Sequence, residues 1–469
     1  MNLTTSLADP IRAVPYLTRI DSRFRARELD QIPQAEAVIK HLFGIRSDTS
    51  SCVFDVKFRS NDGSVGRRDF ATHWIHWYPA KMFHRIPQAI LASLSPGSPL
   101  SILDPFCGSG TVLLEGIRGG HDVIGIDVNP MARLISRVKT NPVDPHHVRR
   151  HLAGVLRRAR LRPIPRSQEP ILDFWFKPRI KGALQNIFSS ISEIEHTECR
   201  EFFEIGFSCI VRQASLADPR IAPPVKLNAE RSDNANQKYR DDLDRASHLR
   251  VPDVYKLFTA AIEDNLRRMK ELYSSPHLGK AMILPGDCEA ARTGLSTASI
   301  DLVVTSPPYC GAQKYARSLR LEMLMMGIDA AEIATIDRRT LGTERITKAD
   351  VINTLPTPLP DLNSLIDKIR FKNPVRATML AQYGSYLGNF ATELARVLRP
   401  NGNAFVTFGT DRMSGFDVKC AEIFAHAAAA AGLRHVATLI DKIPSRGMIT
   451  KRHSTAATIS EEHVVWVCS

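Results

Sequence analysis

Hydrophobic and polar residues follow one another in a pattern that predicts short buried strands, each followed by an amphipathic helix. The apolar run 100–103 leads into a glycine-rich turn, and helical spacing follows at residues 112–117. A second buried strand, 123–126, ends at Asp127, and a helix is predicted at residues 131–139. This order of strand, turn, helix and strand predicts the beginning of a doubly wound α/β fold.

The pattern resumes in the second half of the chain. It predicts strands at residues 282–284, 300–304, 404–408, 436–440 and 463–467, and helices at residues 86–94, 315–327, 380–398 and 416–432. Residues 141–280 carry mostly helical spacing, apart from a polar stretch at 228–250 that predicts a loop. The proline-rich stretch 340–373 also predicts a loop. Near the N-terminus, a helix is predicted at residues 27–44 and a strand at residues 53–58.

The composition is typical of a globular protein, and the net charge of the chain indicates which kind of partner it binds. Hydrophobic residues make up 43% of the chain and charged residues 24%, with a formal net charge of +13. An excess of positive charge favours a polyanion such as a nucleic acid. A cluster of arginines at residues 149–166 is either a solvated helix face or a set of phosphate contacts, and the net charge favours the second interpretation.

The signals of several other protein classes are missing from the sequence. No apolar run reaches about 18 residues, so no membrane span is predicted. Residues 1–15 lack the basic-then-apolar pattern of a signal peptide. The 8 cysteines include no C-x-x-C pair, so no zinc site is predicted. We therefore expect a cytoplasmic protein with free thiols and no metal.

The segment DPFCGSGT, at residues 104–111, has the properties of a cofactor-binding turn. Gly108 and Gly110 let the backbone approach a ligand closely because they have no Cβ. The helix that follows directs the free N–H groups of its N-terminus at the same place. Asp127, at the tip of the second strand, is expected to bind ribose hydroxyls, and Asp287 to lie beside the cofactor's base. Together these residues predict a site for a nucleotide-like cofactor.

An aromatic-rich segment, residues 76–83, lies shortly before this turn in the sequence. One interpretation is a loop that packs against the domain. The other is a lid over the cofactor, in which Lys81 binds a carboxylate and aromatic rings stack on the ligand. We refer to residues 76–83 as the lid segment.

The fourth strand of the predicted fold ends in TSPPY, at residues 305–309. The two prolines end the strand and remove two backbone N–H groups, which leaves rigid carbonyl groups unpaired. The amino group of a planar base needs hydrogen-bond acceptors and an aromatic ring on which the base can stack. Ser306 Oγ and the Pro307 carbonyl are candidate acceptors, and Tyr309 is the candidate ring. The alternative is a turn that the prolines only stiffen.

These segments together resemble the motifs of DNA amino-methyltransferases, which methylate exocyclic nitrogens of DNA bases with S-adenosylmethionine. Residues 104–111 resemble that family's cofactor-binding turn, residues 305–309 its catalytic motif, and residues 78–83 its lid motif. The resemblance implies an α/β fold of the Rossmann-like class I methyltransferase type, with a mostly helical insertion. It also implies S-adenosylmethionine as the cofactor and double-stranded DNA as the substrate.

The resemblance further implies a division of the chain and a set of site residues. Residues 71–140, 281–318 and 380–469 are expected to form the catalytic domain, behind an N-terminal extension at residues 1–70. Residues 141–280, here called the helical insertion, are the first candidate for target recognition; residues 319–379, the second insertion, are the second. The cofactor-binding residues would be Tyr78, Lys81, Asp104, Phe106, Gly108, Gly110, Thr111, Asp127, Asp287 and Thr305, and the catalytic residues Ser306, Pro307, Pro308 and Tyr309.

Several functions remain open at this point. In the family, Ser before Pro-Pro-Tyr is usual for cytosine-N4 enzymes and Asp for adenine-N6 enzymes, so Ser306 implies cytosine N4, with adenine N6 as the alternative. Guanine-N2 methyltransferases of tRNA have similar motifs but carry an N-terminal RNA-binding domain, for which residues 1–70 are too few. A non-catalytic DNA-binding subunit is expected to have lost these motifs. A cognate restriction endonuclease is a candidate partner, and the recognition sequence and the oligomeric state stay open.

Overall fold

The computed structural model describes most of the chain from residue 71 onward and two short strands before it. The described residues are 17–19, 53–56, 71–94, 98–165, 168–228, 230, 236–286, 292–311, 315–357, 359–443 and 459–469. The predicted helix at residues 27–44 and the expected site residue Asp287 lie outside these ranges. For the predicted strand 53–58, the structure describes residues 53–56, and they form a strand.

The centre of the described structure is a nine-stranded sheet. Its strands are β1 (Leu17–Arg19), β2 (Val53–Val56), β3 (Ser101–Asp104), β4 (Asp122–Asp127), β5 (Ala281–Pro285), β6 (Ile300–Thr305), β7 (Leu398–Gly409), β10 (Arg434–Lys442) and β11 (Glu461–Cys468). The spatial order is β1-β2-β10-β11-β7-β6-β3-β4-β5. Strands β3 to β7 pair in parallel, and β11 is antiparallel to both β7 and β10. Two more strands, β8 (Asp411–Met413) and β9 (Phe416–Val418), form a separate ribbon.

Helices connect the parallel strands, as crossovers between parallel neighbours require. They are α1 (Arg85–Leu94), α2 (Thr111–Arg118), α3 (Pro130–Thr140), α4 (Pro145–Leu161), α5 (Pro170–Trp175), α6 (Pro178–Ile191), α7 (Thr197–Val211), α8 (Gln237–His248), α9 (Val251–Tyr273), α10 (Tyr315–Ser318), α11 (Arg320–Met325), α12 (Ala330–Arg339), α13 (Lys348–Ile352), α14 (Pro360–Lys372), α15 (Pro374–Val397) and α16 (Cys420–Ala430). The predicted α/β fold with a doubly wound, mostly parallel sheet is thereby confirmed.

The two faces of the sheet belong to two hydrophobic cores. Successive strand residues point to opposite faces, so Ile102 joins one core and Leu103 the other. Phe405 and Val406 divide in the same way. The first core contains the apolar faces of the helical insertion, and the second contains those of α14, α15 and α16. The second insertion is thereby divided: its helices α11 and α12 pack in the first core with the helical insertion, and α14 packs in the second.

Two predicted loops are wrong over part of their length. Residues 228–250 contain helix α8, whose one buried residue is Ala246, so no apolar period marks this helix in the sequence. Residues 340–373 contain α13 and α14. In α14, Leu362, Ile366 and Ile369 are buried against the core, and Pro360 stands in the first turn, where proline is tolerated.

Smaller differences concern the ends of elements. The predicted helix 416–432 begins only at Cys420, because Phe416–Val418 pairs with Asp411–Met413 as a ribbon. The predicted helix 315–327 is divided into α10 and α11. Among the helices that the structure describes, none combines the length and the apolar character that a membrane span requires.

Candidate active site

A cleft lies where the carboxyl ends of β3, β4 and β6 meet. The chain proceeds from β3 to β4 and β5 on one side and resumes at β6 on the other side, so β3 and β6 flank the topological switch point. Open α/β sheets bind their ligands at this point. The cleft, called the cofactor cleft below, holds about 670 Å³ of space up to its open mouth.

The glycine-rich turn forms the floor of the cofactor cleft. Gly108 has a positive φ of 50°, and its N–H donates a hydrogen bond of 3.0 Å to Asp127 Oδ2. A Cβ at this position would lie 3.4 Å from the ring of Tyr78, in the space between the turn and the lid segment. No side chain caps the N-terminus of α2 within the described structure, and Thr111 at that end lines the cleft. The floor therefore offers backbone N–H groups and room for a ligand.

Glycine is needed at position 110 for a different reason than at position 108. The φ of Gly110 is 72°, and a Cβ there would lie 2.8 Å from Ser136 Oγ on α3. Gly110 therefore permits close packing of the turn against α3, and it does not line the cleft.

Two acidic side chains reach the cleft at the strand ends. Asp104 Oδ1 accepts hydrogen bonds from Thr305 Oγ1 at 2.6 Å and from Phe106 N at 3.2 Å. Burial raises the pKa of Asp104 to about 7, since the two donors only partly compensate for the loss of water. Asp127 accepts from Gly108 N and, at 2.7 Å, from Asn129 N, and burial raises its pKa to about 6. A ligand with hydroxyl or cationic groups would favour the ionised form of both acids.

The lid segment both packs on the domain and lines the cleft, so its two interpretations are compatible. Lys81 lines the cleft, while its Nζ donates to the His73 carbonyl at 2.6 Å and lies 4.7 Å from the centre of the Trp74 ring. Tyr78 is buried and lines the cleft as well. His76 Nε2 lies 3.0 Å from Ser208 Oγ on α7. The helical insertion thus holds the lid segment in place.

The TSPPY segment, the expected catalytic motif, reaches the same cleft from the end of β6. Ser306 and Pro308 line it. Ser306 Oγ donates a hydrogen bond to the Thr407 carbonyl at 3.1 Å. The lone pairs of Ser306 Oγ take no part in this bond, so the oxygen can still accept one. Tyr309 lies further from the cofactor cleft: its hydroxyl donates to Glu462 Oε1 at 3.4 Å. A Cβ on Gly409 would come within 2.9 Å of its ring, so the ring lies against bare backbone.

The structure brings most of the expected site residues into one cleft. Those that line it are Tyr78, Lys81, Asp104, Phe106, Gly108, Thr111, Asp127, Ser306 and Pro308. Thr305 is buried behind Asp104 and positions its carboxylate. Pro307 is buried, and neither it nor Tyr309 lines the cofactor cleft. Asp287 lies outside the described residues.

Other residues of the cleft were not expected from the sequence. Asn129, Tyr315 and Thr340 line it. The Asn129-Pro130 pair was a signal for the start of a helix, which Asn129 indeed caps by accepting from Met131 N at 3.0 Å. Thr340 carries no such signal, because it belongs to the second insertion, which the resemblance does not cover.

The cleft fits S-adenosylmethionine. Within the described structure, the buried Nδ2 of Asn129 has no hydrogen-bond partner, and such a donor in the wall of a cleft is typical of a ligand site. Asp127 can accept from ribose hydroxyls, and Asp104 can pair with a cationic group. No cluster of three or more potential metal ligands occurs among the described residues.

No family model matches the chain. The type II methyltransferase M.MvaI of Kocuria varians is 25% identical over 406 residues, which are 82% of this chain and 87% of that protein. M.AvaI of Anabaena variabilis is 22% identical over 68% of this chain and 70% of its own length. M.BsoBI of Geobacillus stearothermophilus is 21% identical over 58% of this chain and 55% of its own. Both are also type II methyltransferases.

Solved structures with some similarity are methyltransferases as well. The rRNA methyltransferase aviRa from Streptomyces viridochromogenes has a TM-score of 0.29 and 13% identity, over 88% of this chain and 96% of that chain. A TehB-like S-adenosylmethionine-dependent methyltransferase from Corynebacterium glutamicum has a TM-score of 0.27 and 10% identity, over 82% and 88%. These superpositions are weak, and the order of the strands defines the fold. That fold, the cleft and the similarity to type II methyltransferases make the protein a methyltransferase with S-adenosylmethionine as its cofactor.

Proposed function

We propose that the protein transfers a methyl group from S-adenosylmethionine to the exocyclic N4 of cytosine in double-stranded DNA. The observation that carries the proposal is the common cleft: Ser306 and Pro308 of the catalytic motif line the same space as Asp104, Gly108 and Asp127. A base amino group held by Ser306 would therefore meet the cofactor. The similarity to type II methyltransferases supports DNA as the substrate and a role beside a cognate restriction endonuclease.

The acceptor site requires that the target base leaves the duplex, because its amino nitrogen is otherwise paired in the stack. Ser306 Oγ, whose proton is directed at the Thr407 carbonyl, can accept a hydrogen bond from the amino group. The Pro307 carbonyl is the second acceptor, and Tyr309 provides a ring for stacking. Both acceptors draw the amino protons and make the nitrogen more nucleophilic, so catalysis depends on positioning and electrostatics.

Bound S-adenosylmethionine supplies an electrophilic methyl group on a sulfonium. The chain's own residues hold the reactants in line: the glycine-rich turn and Asp127 on the cofactor side, Ser306 and Pro308 on the acceptor side. Asp104, at the end of β3 beside Thr305 of β6, joins the two sides, because Thr305 immediately precedes Ser306. This contact fixes the catalytic motif relative to the cofactor floor.

Adenine N6 is the alternative acceptor, because it is also an exocyclic amino group. The test is to express the protein in a host without other DNA methylation and to sequence the host DNA by a method that distinguishes N4-methylcytosine from N6-methyladenine. We expect N4-methylcytosine in one sequence context, which also defines the recognition site. N6-methyladenine in one context would correct the base and retain the reaction.

RNA is a further alternative. A transfer assay with labelled cofactor should give incorporation into duplex DNA that contains the site and only background incorporation into tRNA. The reverse result would overturn the proposal. Duplex DNA of the same length without the site is the matched control.

A further inference from the structure

A second cleft opens beside the cofactor cleft, between the second insertion and helix α15. It is wider, with about 1380 Å³ of space up to its open mouth. Thr340 lines both clefts. The second cleft, called the open cleft below, therefore adjoins the cofactor cleft at Thr340.

The wall of the open cleft lies directly on the catalytic motif. Gly342, which lines the open cleft, accepts at its carbonyl a hydrogen bond of 3.0 Å from Gly311 N. A Cβ on Gly342 would lie 2.7 Å from the Tyr309 carbonyl oxygen. The second insertion thus touches the backbone of the residue that is proposed to stack on the target base. The open cleft is therefore on the acceptor side of the site.

The lining of the open cleft is polar but carries little negative charge. Arg338 and Arg345 lie in its wall, together with the amide side chains of Asn353, Gln382 and Asn389. Arg338 is exposed, whereas Arg345 pairs with the buried carboxylate of Asp337. Asp350, an acid of the lining, accepts from Thr347 N and Oγ1, each at 2.7 Å, and is engaged as a helix cap. Guanidinium groups bind phosphates, and amides bind the edges of bases. This chemistry fits a strand of nucleic acid.

Two aliphatic side chains are largely exposed, one in the lining of this cleft and one next to the lining residue Asn353. Leu355, in the lining, is 78% exposed, and Ile352, at the end of α13, is 81% exposed. Insertion of these side chains between apolar or aromatic groups would remove their apolar surface from water. Proteins that distort duplex DNA insert such side chains between bases.

We infer that the open cleft binds the DNA strand that carries the target base, and that Ile352 and Leu355 enter the base stack as that base leaves it. The inference rests on the proposed function and adds the segment that opens the duplex. The aliphatic pair replaces the stacking that the neighbouring bases lose, and the polar wall holds the displaced strand next to Tyr309.

The test compares the double variant Ile352→Ala/Leu355→Ala with Phe371→Ala. Phe371 is a matched control, since it belongs to the same insertion, is 95% exposed and does not line the open cleft. Each protein receives two duplexes that contain the sequenced site: a fully paired duplex and one with an abasic position opposite the target base. Methyl transfer is measured as kcat/KM, and cofactor binding by calorimetry. All three positions are exposed, so the variants are expected to fold.

We expect the double variant to lose activity on the paired duplex by on the order of tenfold or more, and to recover most of it on the abasic duplex, because an unpaired base costs less to extrude. Cofactor binding should not change, and Phe371→Ala should match the wild type. Equal activity of the double variant and Phe371→Ala on the paired duplex would overturn the inference. So would an equal loss on both duplexes. Failure of the wild type to methylate any DNA would instead overturn the proposed function, and this inference with it.

Discussion

The two insertions differ in how deeply they bury large apolar side chains. The helical insertion buries four phenylalanine side chains completely, Phe202, Phe203, Phe207 and Phe258, although its Leu161 and Phe174 are exposed. The second insertion leaves apolar side chains outside, with Ile352, Leu355 and Phe371 each more than three-quarters exposed. One insertion completes the core beneath the lid segment, and the other presents an open cleft beside the catalytic motif.

The arginines of the helical insertion show why charge in a sequence is an incomplete guide. Arg149 pairs with Glu263 at 3.2 Å, Arg158 pairs with Glu193 at 2.8 Å, and Arg162 pairs with the same carboxylate. The acids are distant in the sequence, so the cluster looks unpaired there. Exposed pairs of this kind are weak and can exchange for phosphates. A role of this insertion in target recognition stays a prediction, while its contacts to His76 and Trp77 of the lid segment are observed.

The largest effect on activity is expected from substitutions in the catalytic motif, which lies between the two regions compared. Ser306→Ala should reduce kcat by roughly 10²–10³, as loss of one well-placed hydrogen-bonding group at a reacting centre does elsewhere. Tyr309→Ala should also strongly reduce methyl transfer, because the extruded base loses its stacking partner. Cofactor affinity, measured by calorimetry, should stay near the wild-type value in both variants. Full activity of both variants would refute the assignment of the motif.

The second prediction contrasts the two insertions in stability. Phe203→Ala should lower the free energy of unfolding by about 3–5 kcal/mol, because its side chain is fully buried and lies 6.1 Å from Phe258 between ring centres. Phe371→Ala should change it by less than about 0.5 kcal/mol. Denaturant titration of the full chain measures both. Similar losses would mean that the second insertion covers Phe371 in solution and would break the comparison.

The third prediction concerns the ionisation of Asp104, which lines the cofactor cleft. The helical insertion supports this cleft through the lid segment. The pKa of Asp104 in the fold is about 7, above the ordinary value of 3.8, so the fold favours the protonated form. Ionisation therefore costs folding free energy progressively as the pH rises from 3.8 to about 7. Asp104→Asn keeps an acceptor for Thr305 and Phe106 and removes this cost.

The melting temperature of Asp104→Asn relative to the wild type should accordingly be higher at about pH 8 than at about pH 5. At about pH 8 its cofactor affinity should be lower than that of the wild type, since only the wild type then has an ionised Asp104 as the partner for a cationic group. An equal change in melting temperature at both pH values would show that Asp104 ionises normally.

The smallest expected effect is on the salt dependence of DNA binding, and it should differ between an arginine of the second insertion and one of the helical insertion. Arg338→Ala, in the open cleft, should reduce the slope of log affinity against log salt by about 1, as loss of one phosphate contact does. Arg149→Ala, at an ion pair of the helical insertion, should leave this slope unchanged. Equilibrium binding to the sequenced duplex over a salt series measures both. Opposite results would transfer the DNA contact to the helical insertion.

The central part of the fold could be predicted because its signals are local. The apolar run at residues 100–103, the glycine-rich turn and the acid at Asp127 each belong to one strand and its following turn. In a parallel sheet the carboxyl ends of such strands meet at one edge, so residues predicted separately share one cleft. The same argument places Thr305 beside Asp104, although they are far apart in the sequence.

The sequence by itself therefore determined the first strand-turn-helix-strand unit of the fold, since alternation, glycine and proline act on neighbouring residues. The roles of the glycine-rich turn and of the TSPPY segment stay predictions. Only the tertiary structure decided that Thr340 enters the cofactor cleft and that the arginines of the helical insertion find acids. It also decided that polar residues form α8 and that Ile352 and Leu355 stay exposed. These features depend on contacts between distant segments, and such contacts leave no periodic pattern in the chain.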